Sequence, residues 1–374
     1  MTPKRKILFI IPTMRGGGAE RVLIDVLNRF DFERYNVTLL LINKEGDLYN
    51  QIPSAVTKIA LYDSSTPKLP IIENKYTQKI FLRLRCLIKL SPFKRFDTII
   101  SFLEGEALFL HTILFNRRKR DVSWVHTDMS INHWTTNIYP LLWQERKAYN
   151  MMNRIVLVSE QAKIGFEKTF GLNSKLQVLY NLIDRETIIS KSIETCPIVK
   201  SSKHVICTAG RLSKEKRHDR LIKAITILRN EYQLDVELWI IGKGDNLPKL
   251  VDLANNLGIK DRISFLGFKT NPYPYIKSAD IFALSSDTEG YPLVICEALC
   301  LGKPIVSTDT TGPSELLADN VGILTGKDEN SLAAGLAKLC QEPALLTEYS
   351  RRSIKKSMDF CPEEIMNEIY DIVN

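Results

Sequence analysis

Short, almost unbroken apolar runs recur along this chain in two successive sets, and that pattern restricts it to a narrow group of folds. KILFIIP, NVTLLLIN, DTIISF, VSWVH, RIVLVS and LQVLYN form the first set; HVICTAG, VELWIIG, RISFLG, IFALSS and KPIVSTD form the second. Strands that read as continuous apolar runs are buried on both faces, which is the condition of parallel strands covered by helices. Helical periodicity fills the gaps. Val22, Leu23, Val26, Leu27 and Phe30 line one side of a helix starting at Gly18, and further helices are expected over 217–230 and 250–257. A chain of 374 residues is too long for one ordinary core. The expected fold class is therefore α/β, with two doubly wound Rossmann-like domains facing a cleft. Composition turns polar after YNLID. The expected division is 1–190 for the first domain, 191–203 for a linker, 204–358 for the second domain and 359–374 for a terminal helix.

The second set carries the segment richest in chemistry, SSDTEGYPLVICEALC. Glu289 and Glu297 stand eight positions apart there, the first before an expected helix and the second a turn and a half inside it. Pro292 is expected at the first helical position, where a missing N–H is harmless. Backbone N–H groups from Gly290 and Tyr291 to Leu293 then face outward with the positive end of the helix behind them, which suits an anion. Carboxylates at the mouth of such a site suit hydroxyl groups, which are donors. Phosphate and polyol together describe a nucleotide sugar. In HVICTAGRLSKEK, the strand His204 to Ala209 ends at Gly210, followed by Arg211 and Lys216. Glycine permits the turn. A guanidinium and an ammonium on one turn suit a diphosphate leaving group, whose charge grows as the bond to the sugar breaks. The alternative is a solvated basic turn that also includes Lys214 and Arg217.

GRLSKEK followed by EGYPLVICEAL, with GGGAERVL, WVHTD, RIVLVSE, VLYNLID, GKGDNLPKL and STDTTGPSEL along the rest of the chain, resembles the retaining GT-B glycosyltransferases of family 4 and their E-x7-E signature. The resemblance runs over nearly the whole sequence. It implies a GT-B fold, a terminal helix crossing back to the first domain, and transfer from a nucleotide-diphosphate sugar with retention of configuration. The implied donor is a UDP-linked hexose or N-acetylhexosamine. The implied product is a bacterial surface glycan such as O-antigen or capsule. By this resemblance Gly16, Gly17 and Gly18 lie near the donor phosphates, and Glu289 holds the sugar hydroxyls, Glu297 the ribose and His126 the sugar from across the cleft. The chain departs from the family at Arg217, where relatives often have glycine, which puts the path of that loop in doubt.

Other residues keep two readings. His126 ends VSWVH, at the carboxyl edge of a parallel strand, where an imidazole can donate to a sugar hydroxyl or accept a proton; otherwise it is structural. Asp128 either orients His126 or binds acceptor. Glu20 either meets acceptor or favours its own helix N-terminus. Gly242 and Gly244 bring a loop close to the nucleotide or merely form a turn. Thr311, Gly312 and Pro313 open a helix beside the expected donor. Ser159 and Asn181 match family positions without a uniform role, and His133, His204 and His218 read as structural.

A formal net charge of +8 is concentrated in the first third, in QKIFLRLRCLIKLSPFKRF and in RRKR at 117–120. Ile80, Phe81, Leu84, Leu87 and Ile88 share a helical face there, with Lys79, Arg83 and Lys89 elsewhere. This face either packs on the first sheet or lies on an anionic membrane surface, where a lipid-diphosphate-linked acceptor would reside. The apolar stretch near the N-terminus is too short for a signal peptide, and no run is long enough to span a bilayer. Seven scattered cysteines give no metal spacing and point to a reducing, cytoplasmic setting, with Cys296 and Cys300 as buried thiols. No D-x-D triplet occurs, so no metal or other cofactor is expected. The competing functions are a nucleotide-sugar epimerase of the same fold and a non-enzymatic basic binder of membrane or nucleic acid. The latter leaves the paired glutamates unexplained, so no nucleic-acid partner is expected.

Overall fold

A computed structural model describes residues 3–63, 84–86, 88–90, 96–114, 120–172 and 174–374, and among these the apolar runs build two parallel sheets. The first contains β1 (Arg5–Ile11), β2 (Tyr35–Asn43), β3 (Thr57–Tyr62), β4 (Thr98–Ser101), β5 (Arg120–Val125), β6 (Arg154–Leu157) and β7 (Leu176–Val178), in the order β3-β2-β1-β4-β5-β6-β7. The second contains β8 (His204–Ala209), β9 (Val236–Ile241), β10 (Ile263–Gly267), β11 (Ile281–Leu284), β12 (Ile305–Thr308) and β13 (Ile323–Thr325), ordered β10-β9-β8-β11-β12-β13. In each sheet the winding reverses once, between β1 and β4 and between β8 and β11. At such a reversal the loops leaving the carboxyl ends of the two strands diverge and open a crevice.

Strand periodicity explains why the runs look continuous. Ile206, Leu238, Ile240, Ile281 and Ala283 enter one apolar core, while their neighbours Val205, Cys207, Trp239, Phe282 and Leu284 enter another on the opposite face. The first core is closed by helices at 218–230, 247–256 and 329–341, the second by helices at 273–278 and 293–300. Two strands escaped the sequence reading, β3 and β13. Both are edge strands, and their partly exposed patterns lack the unbroken run that marks a strand covered on both faces.

The chain divides by its contacts into Met1–Leu182 with Glu363–Asn374, and Ile183–Pro362. This corrects the expected boundary at 190. Ile183 and Ile188 are buried in the second unit's core with Cys196 and Ile198 against it, so much of the supposed linker belongs to that unit. Helix 362–373 packs in the first unit, where Tyr370 stacks on Tyr35 with ring centroids 5.5 Å apart and Thr98 Oγ1 donates to the Val373 carbonyl at 2.9 Å.

Most of the basic amphipathic stretch, including Lys79, Ile80, Phe81, Arg83 and Leu87, lies outside the described residues, as do 117–119. Within it, Leu84 and Ile88 are exposed (53% and 65%), while Cys86 and Leu90 enter the core. Leu84 and Ile88 therefore do not pack on the sheet. Cys296 and Cys300 are buried, and burial pushes the Cys300 thiol up to about 12. Among the described residues no helix is long and apolar enough to cross a membrane.

Candidate active site

In the second unit the reversal between β8 and β11 brings together the two segments that carry charge. The loop after β8 ends in a short turn, Lys214–Lys216, and the loop after β11 holds Ser285 to Pro292. Lys216 Nζ donates to both carboxyl oxygens of Glu289, at 2.6 and 2.8 Å, and Ser286 Oγ adds a third bond to Oε1 at 2.6 Å. Glu289 is only 9% exposed, so its charge is held in place by these partners. An ammonium has three donors. Two are spent on Glu289, and a third remains. The helix Leu293–Cys300 begins immediately beyond, with Pro292 at its N-cap and not at its first position. In its first turn Ile295 N already donates to the Pro292 carbonyl at 3.0 Å, and the N–H groups of Leu293 and Val294 lie ahead of that bond. Glu297 is buried within the helix and accepts from the Tyr273 hydroxyl at 3.2 Å. Arg211 stands exposed after Gly210.

Beneath Lys216 runs a second ionic network. Arg220, 3% exposed, donates to the Ser285 carbonyl at 2.6 Å and to Asp287 at 2.7 Å. Arg217 bridges Asp219 and Asp287. Burial works against the Asp287 charge, but hydrogen bonds from Arg220 and Arg217 hold its carboxyl below the usual range. Ser285 Oγ donates to the Lys216 and Arg217 carbonyls. Together these bonds lock the Lys216 turn onto the Glu289 loop. Three glycines allow the loops to approach: a Cβ on Gly242 would lie 1.8 Å from Gly210 O, one on Gly244 2.5 Å from Leu212 O, and one on Gly312 2.7 Å from Gly290 O.

In the first unit the corresponding reversal gathers the loop after β1 and the loop after β4, with the end of β5 alongside. Gly16 has φ +97°, Gly17 caps the helix Gly18–Asn28 and Glu20 lies in that helix's first turn. The Met14 backbone is held by Glu45 and Leu48, with Gly46 passing so close that a Cβ there would lie 2.1 Å from Met14 O. His126 stacks on Trp124 (centroids 6.1 Å apart, 11° between planes) and tilts against Phe102. The residue is partly exposed, but Nε2 is enclosed, and burial pushes its pKa down to about 3. Asp128 accepts from Ser130 N and Oγ and lies so near Gly165 that a Cβ there would be 2.2 Å away. It builds its own turn.

Two family models match this sequence: "Glycosyltransferase Family 4" over residues 16–187 and "Glycosyl transferases group 1" over residues 197–357. The chain is a family 4 glycosyltransferase. It is 29% identical over 364 residues, covering 95% of this chain and 96% of the relative, to a Campylobacter jejuni N-acetylgalactosaminyltransferase whose named substrate is a diphospho-undecaprenol-linked sugar. It is 28% identical over 363 residues, covering 96% and 97%, to an uncharacterized glycosyltransferase of Haemophilus influenzae. Among solved structures, Anabaena HepE in complex with UDP and glucose aligns with a TM-score of 0.78 at 23% identity over 98% of each chain. A sucrose-phosphate synthase from Thermosynechococcus elongatus aligns at 0.79 and 13%, covering 99% and 98%. These similarities show the GT-B fold.

For this glycosyltransferase, two expectations change. Burial pushes the His126 pKa down to about 3, against the expectation that its ring accepts a proton near neutrality. Arg217 makes its turn in the left-handed region, at φ +48°, while Asp219 and Asp287 hold its guanidinium. Arg220, Ser286, Asp287 and Glu104 were not singled out from sequence. His133 bonds buried Glu145 at 2.7 Å, and His111 lies between Ser101 and Asp121, a Ser–His–Asp set sealed from solvent and so no nucleophile. Burial lowers His111 and brings His218 to about 4. Groups whose folded pKa lies below the ordinary 6.5 bind protons only in the unfolded chain between those values, so stability falls as pH drops through 6.5. At pH 5, His126 and His218 should each remove on the order of 1–2 kcal/mol. Melting temperature at pH 5.0 should lie below that at pH 7.5, with the gap reduced in His218→Gln. A Tm flat across that range contradicts the burial argument.

Proposed function

We propose that this enzyme moves a hexose or N-acetylhexosamine from a UDP-sugar to a hydroxyl of a lipid-diphosphate-linked glycan, retaining the anomeric configuration. The observation that carries the reading is the Lys216–Glu289 pair at the β8/β11 crevice beside a helix start. Glu289 accepts from sugar hydroxyls, Lys216 and Arg211 neutralise the departing diphosphate, and first-turn N–H groups add to them. Glu297 faces the ribose. The anomeric carbon–diphosphate oxygen bond breaks while the acceptor oxygen bonds on the same face, and the acceptor's proton passes to the leaving phosphate. His126, neutral, hydrogen-bonds the sugar. The Campylobacter relative's diphospho-undecaprenol substrate and the UDP held by HepE support donor and acceptor classes. Exposed Leu84, Ile88 and Lys89 support contact with an anionic lipid surface.

The test is a thermal-shift screen against nucleotide sugars, followed by turnover with the best donor and a polyprenyl-diphosphate-linked oligosaccharide. The true donor raises Tm most, by mass action. UDP release should require acceptor, and proton NMR of the first product should show the donor's own anomer. UDP release independent of acceptor, or an inverted product, defeats the proposal. Because the cations are side chains, transfer should stay within about twofold in excess EDTA. A collapse of rate that Mg²⁺ restores would contradict metal-independent transfer.

A further inference from the structure

We propose that Glu104 is a positioning residue that fixes the carboxyl end of β5 and thereby the placement of His126. Glu104 lies in the loop after β4, at the point where the first sheet reverses its winding, and is 1% exposed. Its Oε2 accepts from the His126 backbone N–H at 2.9 Å. Its Oε1 accepts from Trp134 Nε1 at 3.1 Å and from the Thr127 hydroxyl. Next to it, Gly105 has φ +73° and lets the Trp134 ring approach so closely that a Cβ would lie 2.7 Å from its edge. One acid thus ties three donors from two segments of chain, while Trp124 and Phe102 hold the imidazole from its faces. Burying an acid is costly unless every oxygen is used. A glutamine would supply one acceptor oxygen and turn an NH₂ toward at least one of these donors. The His126 Nε2 atom is enclosed and has no hydrogen-bond partner among the described residues, so the ring is held without its far nitrogen being consumed.

The inference rests on His126 being a substrate contact. Glu104→Gln should lower kcat about ten- to a hundredfold, because small misplacements at a reacting centre are that costly, while the donor's thermal shift is retained. In protein labelled at histidine, the His126 ring signals, identified by their loss in His126→Gln, should move; those of His111, His204 and His218 should not. If kcat and the His126 signals of Glu104→Gln match the wild type, the inference is overturned. It is equally overturned if all histidine signals shift together, since that reports general loosening. Should Glu104→Gln fail to fold, Trp134→Phe and Thr127→Val each remove one donor and are expected to move the His126 signals and lower kcat; two silent variants overturn the proposal. His126→Ala separates the levels. If it retains full turnover, the substrate-contact reading fails; if it is impaired while Glu104→Gln is not, only the positioning role fails.

Discussion

Lys216→Ala should lower kcat by about 10²- to 10³-fold, the range seen when one preorganised group stabilising transition-state charge is removed. Two effects combine. In the proposed mechanism the departing diphosphate loses a cation, and Glu289, 9% exposed, loses the partner that makes two of its three hydrogen bonds. Left with Ser286, it must swing toward water or seize another cation, and either move takes it from the sugar hydroxyls. Stability should change little. Lys216 is 27% exposed, and partly solvated pairs contribute about 1 kcal/mol or less. A large kcat loss with a nearly constant Tm therefore marks a chemical role. Lys216→Arg should recover part of the rate, since a guanidinium retains charge and can fork onto Glu289, though on a different reach. Arg211→Ala should be additive with Lys216→Ala only if the two cations act independently. If Lys216→Ala keeps turnover within about tenfold of wild type, the leaving group is stabilised elsewhere.

The Lys216–Glu289 pair also shows how far sequence carries. Both residues were visible as chemical candidates because each follows a buried strand and each sits in a distinctive motif. Their pairing was not visible, because it depends on β8 and β11 being neighbours, and strand order is a property of the sheet and not of either segment. Arg220 and Asp287 were hidden for another reason. An arginine inside an amphipathic helix reads as a solvated position, and only the structure shows it buried under Ser285. Glu104 follows the run DTIISF with no motif around it to mark a buried acid. Arg217 was noticed as a missing glycine, but the sequence could not show that a left-handed residue would persist at a cost of roughly 1–2 kcal/mol, held by two aspartates. Strands β3 and β13 left no unbroken apolar signal: β3 opens on exposed Thr57 and Lys58, and β13 is three residues long with none buried.

Gly242→Ala should destabilise the protein and abolish the donor's thermal shift together. Gly242 has φ +149°, and an added methyl would sit 1.8 Å from Gly210 O and 2.9 Å from Gly210 C. These are backbone atoms, so no rotamer change relieves the clash. Nor can the strand ends slide freely: Gly242 N donates to Gly267 O, Gly210 N to Ile241 O and Leu212 N to Lys243 O. The loop carrying Arg211 must move, at a cost of about 1–3 kcal/mol for forced overpacking. That corresponds to several degrees in Tm for a unit of this size. Gly258→Ala is the control. Its φ is +67° with open space around the added Cβ, so it carries the left-handed penalty without a clash and stands far from the β8/β11 loops in sequence. It should lower Tm and leave the donor shift intact. If Gly242→Ala instead binds donor as the wild type does, the close approach of the two loops has no part in holding Arg211, and the glycine serves the turn alone.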